Sequence, residues 1–140
     1  MGTTFLMLLD KIQPSQLYLS KRKLINVQKK IDPSKVESIG VIPIKKLGED
    51  IIFTDGHTRA FAAYKAGFKE VFVEWETENL DWDMYEVCVK WCKDSGIFSI
   101  RDLEHRIISH KDYKILWYDR CEKLQNELVK KNIKNNSNIE

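Results

Sequence analysis

The run Ile51-Ile52-Phe53-Thr54-Asp55-Gly56-His57-Thr58-Arg59, continued by Ala60-Phe61-Ala62-Ala63-Tyr64-Lys65-Ala66-Gly67 and closed by Val71-Phe72-Val73-Glu74-Trp75, decides the fold class. The opening apolar residues have strand character, and Val71 to Trp75 is the clearest strand of the chain. Between them Asp55-Gly56 reads as a turn. His57 to Ala66 reads as a compact, Ala-rich helix, with Phe61, Ala62, Lys65 and Ala66 at turn spacing. Gly67 stands where a left-handed helix cap is expected. Strand, helix and strand in immediate succession indicate an α/β unit.

Working upstream, Val41-Ile42-Pro43-Ile44 pairs with Ile51 to Phe53 as a hairpin through Gly48-Glu49-Asp50. Pro43 cannot donate to a ladder, which predicts an edge strand or a strand start. Lys21 to Ile31 has helical spacing through Leu24, Val27 and Ile31, and Pro33 ends it. Phe5 to Ile12 reads as a first strand running into a loop at Pro14. Residues 5–76 therefore read β-loop-α-β-β-α-β.

Downstream the pattern turns helical. Asp81 opens a helix whose stripe is Tyr85, Cys88, Trp91 and Cys92, ended at Gly96. Ser99 is a good N-cap for a helix over residues 100–109. Lys111 to Lys131 carries Tyr113, Leu116, Trp117, Cys121, Leu124 and Leu128 at amphipathic spacing. The expected organisation is an α/β (α+β) core over 1–78, a small mixed sheet with helices. A helical extension over 79–131 packs on it through Trp91, Ile107 and Trp117, and residues 132–140 form a disordered tail.

The chain has 140 residues, 43% apolar and 31% charged, enough for one real core. A net charge of +2 excludes a strongly basic nucleic-acid protein on bulk charge, although not a local basic patch such as Lys21 to Lys30. Phe5 to Leu9 is too short to span a membrane and lacks the flanks of a signal peptide. Three cysteines without paired spacing suit a reducing compartment, so a cytoplasmic protein with no membrane partner is expected. Residues 70–94 carry eight acidic and two basic side chains, whereas residues 1–50 carry nine basic and five acidic, which suggests a polarised surface.

One constellation carries chemistry: Thr54-Asp55-Gly56-His57-Thr58-Arg59, between a strand and a helix. Gly56 permits a sharp turn and close approach of a ligand. The helix start offers unpaired N–H groups and the positive dipole end, a ready anion site. Thr58 adds a hydroxyl and Arg59 a charged fork suited to phosphate. His57 can donate to phosphate or move a proton, and Asp55 can orient it or hold a substrate hydroxyl. The expected cofactor-binding residues are thus Gly56, His57, Thr58 and Arg59, and the expected catalytic residues Asp55 and His57. The same segment also fits a plain helix start with Asp55 as N-cap. Cys88 and Cys92 lie four apart on a helix but have no second Cys or His pair, so no metal site is expected. The four tryptophans read as core anchors or as a base-stacking platform.

Ile12 to Pro14, the following helix, Val41-Ile42-Pro43-Ile44, Asp55-Gly56-His57-Thr58-Arg59-Ala60, the Ala-rich helix to Gly67 and Val71-Phe72-Val73 together resemble the ParB/sulfiredoxin superfamily (the ParB-like nuclease domain) over roughly residues 8–76. The resemblance implies a nucleotide phosphate bound at Gly56 to Arg59. Sulfiredoxin has a cysteine in the motif where His57 stands, and the partitioning proteins have Glu-Arg-Arg there. The Asp-Gly-His-x-Arg form is most similar to the free serine kinase branch. That branch draws a catalytic glutamate from the first loop, whereas residues 13–23 hold no carboxylate, leaving Asp55, Asp32 or Glu37 for the role. Two functions stay open. One is a phosphotransferase or nucleotide hydrolase using ATP, ADP or CTP with Mg²⁺. The other is a non-catalytic nucleotide-responsive module whose extension docks DNA or a protein.

Overall fold

The computed structural model describes residues 3–137. It is a mixed α/β structure. The strands are β1 (Phe5–Leu8), β2 (Leu19–Ser20), β3 (Ile42–Leu47), β4 (Asp50–Phe53), β5 (Glu70–Trp75) and β6 (Ile107–Ile108). The helices are α1 (Lys21–Gln28), α2 (His57–Lys65), α3 (Trp82–Asp94), α4 (His110–Tyr113) and α5 (Asp119–Ser137). Short 3₁₀ turns cover Leu9–Lys11, Val36–Ile39 and Ile100–Leu103.

The main sheet has the order β1-β5-β3-β4. β1 pairs antiparallel with β5, β5 parallel with β3, and β3 antiparallel with β4. Period-two alternation turns Ile42, Ile44, Val71 and Val73 into the core, where all four are fully buried. Leu6 and Leu8, on the alternate positions of β1, stay exposed. Phe61 and the alanines of α2 are buried with those strand residues in one hydrophobic core. Alanine suits such a helix because its small side chain lets the helix lie close to the sheet.

Pro43 is not on an edge strand. β3 lies between β5 and β4, and Pro43 is its second residue. The Pro43 carbonyl faces the β4 side, accepting from Thr54 N–H at 3.2 Å. The missing N–H faces the same way, toward Thr54 at the end of the β3–β4 ladder, and the Thr54 carbonyl it cannot reach accepts instead from the Tyr85 hydroxyl at 2.7 Å.

The extension departs from its all-helical expectation. Residues 100–109 are not a helix: after the 3₁₀ turn at Ile100–Leu103 the chain extends as β6, parallel to β2 through Leu19↔Ile107 and Ser20↔Ile108. Ile107 and Ile108 are β-branched, and a strand partner two-thirds of a chain away outweighs the cap signal of Ser99. Helix α4 then runs through a π-helical turn at Lys114–Tyr118 into α5, which continues to Ser137. The tail expected over 132–140 is thus helical as far as 137; residues 138–140 lie outside the described residues. Cys88, Cys92, Ile97, Leu103, Trp117 and Leu124 belong to the same core cluster as the sheet. No helix among the described residues is long and apolar enough to cross a membrane.

Candidate functional site

The site forms where β4 ends. Phe53 N–H donates to the Gln13 carbonyl, and Gln13 N–H to the Ile51 carbonyl, so the first loop lies beside β4 as an extra strand segment. The buried Gln13 side chain donates to the Ile97 carbonyl at 2.8 Å, which fastens that loop to the turn after α3. Ser15 follows, buried, its hydroxyl donating to the Phe53 carbonyl at 2.7 Å.

Beyond Phe53 the chain turns through Asp55 and Gly56 into α2. Gly56 has φ +78°, the left-handed region that glycine enters freely. It is the residue that caps α2. Asp55 is not the cap: its Oδ1 accepts from the adjacent Gly56 N–H at 2.8 Å. The N–H groups of His57, Thr58 and Arg59 in the first turn of α2 have no hydrogen-bond acceptor among the described residues. The Thr58 hydroxyl has none either.

His57 lies underneath this turn, only 5% exposed. Its Nε2 accepts from Ser15 N–H at 2.9 Å, which places the ring proton on Nδ1. Burial lowers its pKa to about 4, and the Asp55 charge opposes that only in part. The ring is therefore neutral near pH 7, a donor through Nδ1–H rather than a cation.

Asp55 and His57 line one cavity of about 200 Å³ together with Ser15, Gln16, Tyr85 and Trp117. Met84, Cys88 and Cys121 complete its apolar wall. The Tyr85 hydroxyl donates to the Thr54 carbonyl at 2.7 Å. Burial, then the Asp55 charge, pushes the phenol up to about 12, so it remains protonated. Glu76 Oε1 accepts from the Thr54 hydroxyl at 3.1 Å, setting a second carboxylate near the turn.

Arg59 departs from expectation. The sequence offers it as a charged fork suited to phosphate, yet its Nη1 donates to the carbonyls of Val41 at 3.1 Å and Ile39 at 3.4 Å. The guanidinium lies between Gly40 and Gly56, and a Cβ on either glycine would stand 3.0 Å from one of its nitrogens. It fastens the loop before β3 to the base of α2. Its charge still lies directly beneath the Gly56 turn.

The structure therefore brings Asp55 and His57 to one cavity and sets Gly56, Thr58 and Arg59 around the helix start beside it. Sequence reading missed Tyr85, Trp117 and Cys121, which the extension contributes. The π turn at Lys114–Tyr118 carries Trp117 to the cavity; its only sequence trace is the Tyr113, Trp117, Cys121 spacing. Cys88 and Cys92 are buried, as small core residues are. No group of three or more metal-ligating side chains occurs among the described residues.

No protein-family model matches the chain, and no curated protein matches it. Among solved structures it is similar to the crystal structure of protein Atu1540 from Agrobacterium tumefaciens, with 16% identity and a TM-score of 0.44. That alignment covers 70% of this chain and 51% of Atu1540, so the chain matches about half of that protein's length.

Proposed function

We propose that this chain binds a phosphate-bearing small molecule, a nucleotide by class, at the first turn of α2. The observation that carries the reading is the set of open N–H donors on residues 57–59, beside a cavity that Asp55 and His57 line. Three donors at a helix start, with the dipole behind them and the Arg59 charge beneath, favour an anion there. The resemblance of residues 8–76 to the ParB/sulfiredoxin superfamily supports the same location.

The neighbouring cavity suits the acceptor of a phosphoryl group. Asp55 is its exposed carboxylate and is the residue to take a proton from an acceptor hydroxyl. His57 cannot serve as a cationic clamp at neutral pH, but its Nδ1–H can hold an oxygen in place. Mg²⁺ usually relies on one or two carboxylates plus the substrate phosphates, and Asp55, with Glu76 nearby, meets that need; the ion would neutralise charge on the phosphates.

A thermal-shift and calorimetric screen of ATP, ADP, CTP and GTP with Mg²⁺ tests the reading. A ligand at 100 times its Kd adds roughly 2.7 kcal/mol of stability. In a coupled turnover assay with the nucleotide that binds, Asp55→Asn should lose about 10²–10⁴-fold in rate, while binding of the nucleotide measured without Mg²⁺ is retained. Binding with no turnover by the wild type assigns the chain to the nucleotide-responsive modules instead. No shift with any nucleotide or with inorganic phosphate overturns the proposal.

A further inference from the structure

Helices α3 and α5 each bring a cysteine to the same wall of the cavity, Cys88 from α3 and Cys121 from α5. Cys88 is buried, while Cys121 is partly exposed. Helix α3 packs against α5, and both cysteines line this one cavity. The neighbouring Cys88 thiol holds the Cys121 thiol below its ordinary range, with the Arg120 guanidinium adding to the effect, while Cys121 and burial together raise the Cys88 thiol. Cys92 provides an internal contrast: it is fully buried, and burial pushes its thiol up to about 12. A nucleophilic, reachable sulfur next to a second thiol is the arrangement in which oxidation ends in a cross-link.

We propose that Cys88 and Cys121 form a redox-convertible pair, which a peroxide oxidises to an intramolecular disulfide joining α3 to α5 along the cavity wall. In the first step the Cys121 thiolate attacks one oxygen of the peroxide and the O–O bond breaks. The products are a sulfenic acid on Cys121 and hydroxide, which takes up the thiol proton to leave as water. In the second step the Cys88 sulfur attacks the Cys121 sulfur and the S–O bond breaks. The departing oxygen takes the Cys88 proton and leaves as a second water. Two thiols lose two electrons, and hydrogen peroxide gains them. The proposal does not depend on any nucleotide: it uses only the two sulfurs and their access to solvent.

The test uses the full chain, folded and reduced, exposed to hydrogen peroxide and then denatured with an alkylating agent. The intact mass before alkylation should fall by two hydrogens, and only Cys92 should be alkylated. Peptide mapping should recover a dithiothreitol-sensitive link between the Cys88 and Cys121 peptides. In Cys88→Ser, dimedone should label Cys121 as the trapped sulfenic acid; Cys92→Ser should leave the cross-link intact. The wild-type mass and map decide the matter even if a variant folds poorly. Alkylation of all three cysteines after peroxide, a disulfide that includes Cys92, or cross-links only between chains would overturn it.

Discussion

His57 suits by its chemistry the donation to phosphate or the movement of a proton, and it opens α2 with its ring buried under the turn, neutral and accepting from Ser15 N–H. A measurable consequence follows from its pKa of about 4 against an ordinary 6.5. Between these values the unfolded chain binds the proton and the folded chain does not, so stability rises with pH across that window. The contribution is fully present above pH 6.5 and is lost as pH falls toward 4, about 3 kcal/mol in all. Urea unfolding followed from pH 4 to 8 should show this slope. His57→Gln keeps an acceptor for Ser15 but cannot titrate, and should flatten it; an unchanged slope in that variant would show that another group is responsible.

At the scale of elements, α2 is held at both faces of its first turn. His57 ties it to the first loop on one side, and Arg59 ties it to the Ile39–Val41 carbonyls on the other. Gly40, at φ +79°, lets the chain turn tightly over the guanidinium, where a side chain would collide with it. Arg59→Ala strands two backbone carbonyls in a part-buried site and should cost about 1–2 kcal/mol, a Tm lowered by about 3–8 °C. Arg59→Lys keeps the charge without the fork and should recover less than half of the loss. A Tm within one degree or so of the wild type for Arg59→Ala would mean that the loop is held by its own packing. The pairing of β2 with β6 works in the same way at longer range. It brings the segment after Leu103 back to the start of α1, and it explains why a stretch with a good helix cap ends as a strand.

For the whole molecule the decisive fact is one core shared by the sheet and the extension. Cys92, Ile97, Ile100 and Leu103 are fully or almost fully buried in the same cluster as Ile12, Leu19 and Phe53. Cutting the chain after residue 78 should therefore leave an apolar face uncovered, with near-ultraviolet circular dichroism lost and no cooperative melting. A monomeric, cooperatively folding 1–78 fragment would show that the extension is dispensable. Local chemistry by itself determined much of this protein. The alternation of Ile42, Ile44, Val71 and Val73, the turn at Asp55-Gly56 and the Ala-rich helix between two strands are all short-range features, set by backbone sterics and side-chain period. The same is true of the open helix start at residues 57–59, which follows from a strand-turn-helix order. What only the tertiary structure decided is where long-range partners lie. β3 is interior because β5 returns to lie beside it, residues 107–108 are a strand because β2 awaits them, and Arg59 is consumed by two carbonyls some twenty residues upstream. The cavity is completed by Tyr85, Trp117 and Cys121, residues whose own neighbourhoods in the chain look like any amphipathic helix. Such contacts are set by packing and by the need to satisfy each buried donor and acceptor, and neither is encoded within a window of ten or fifteen residues.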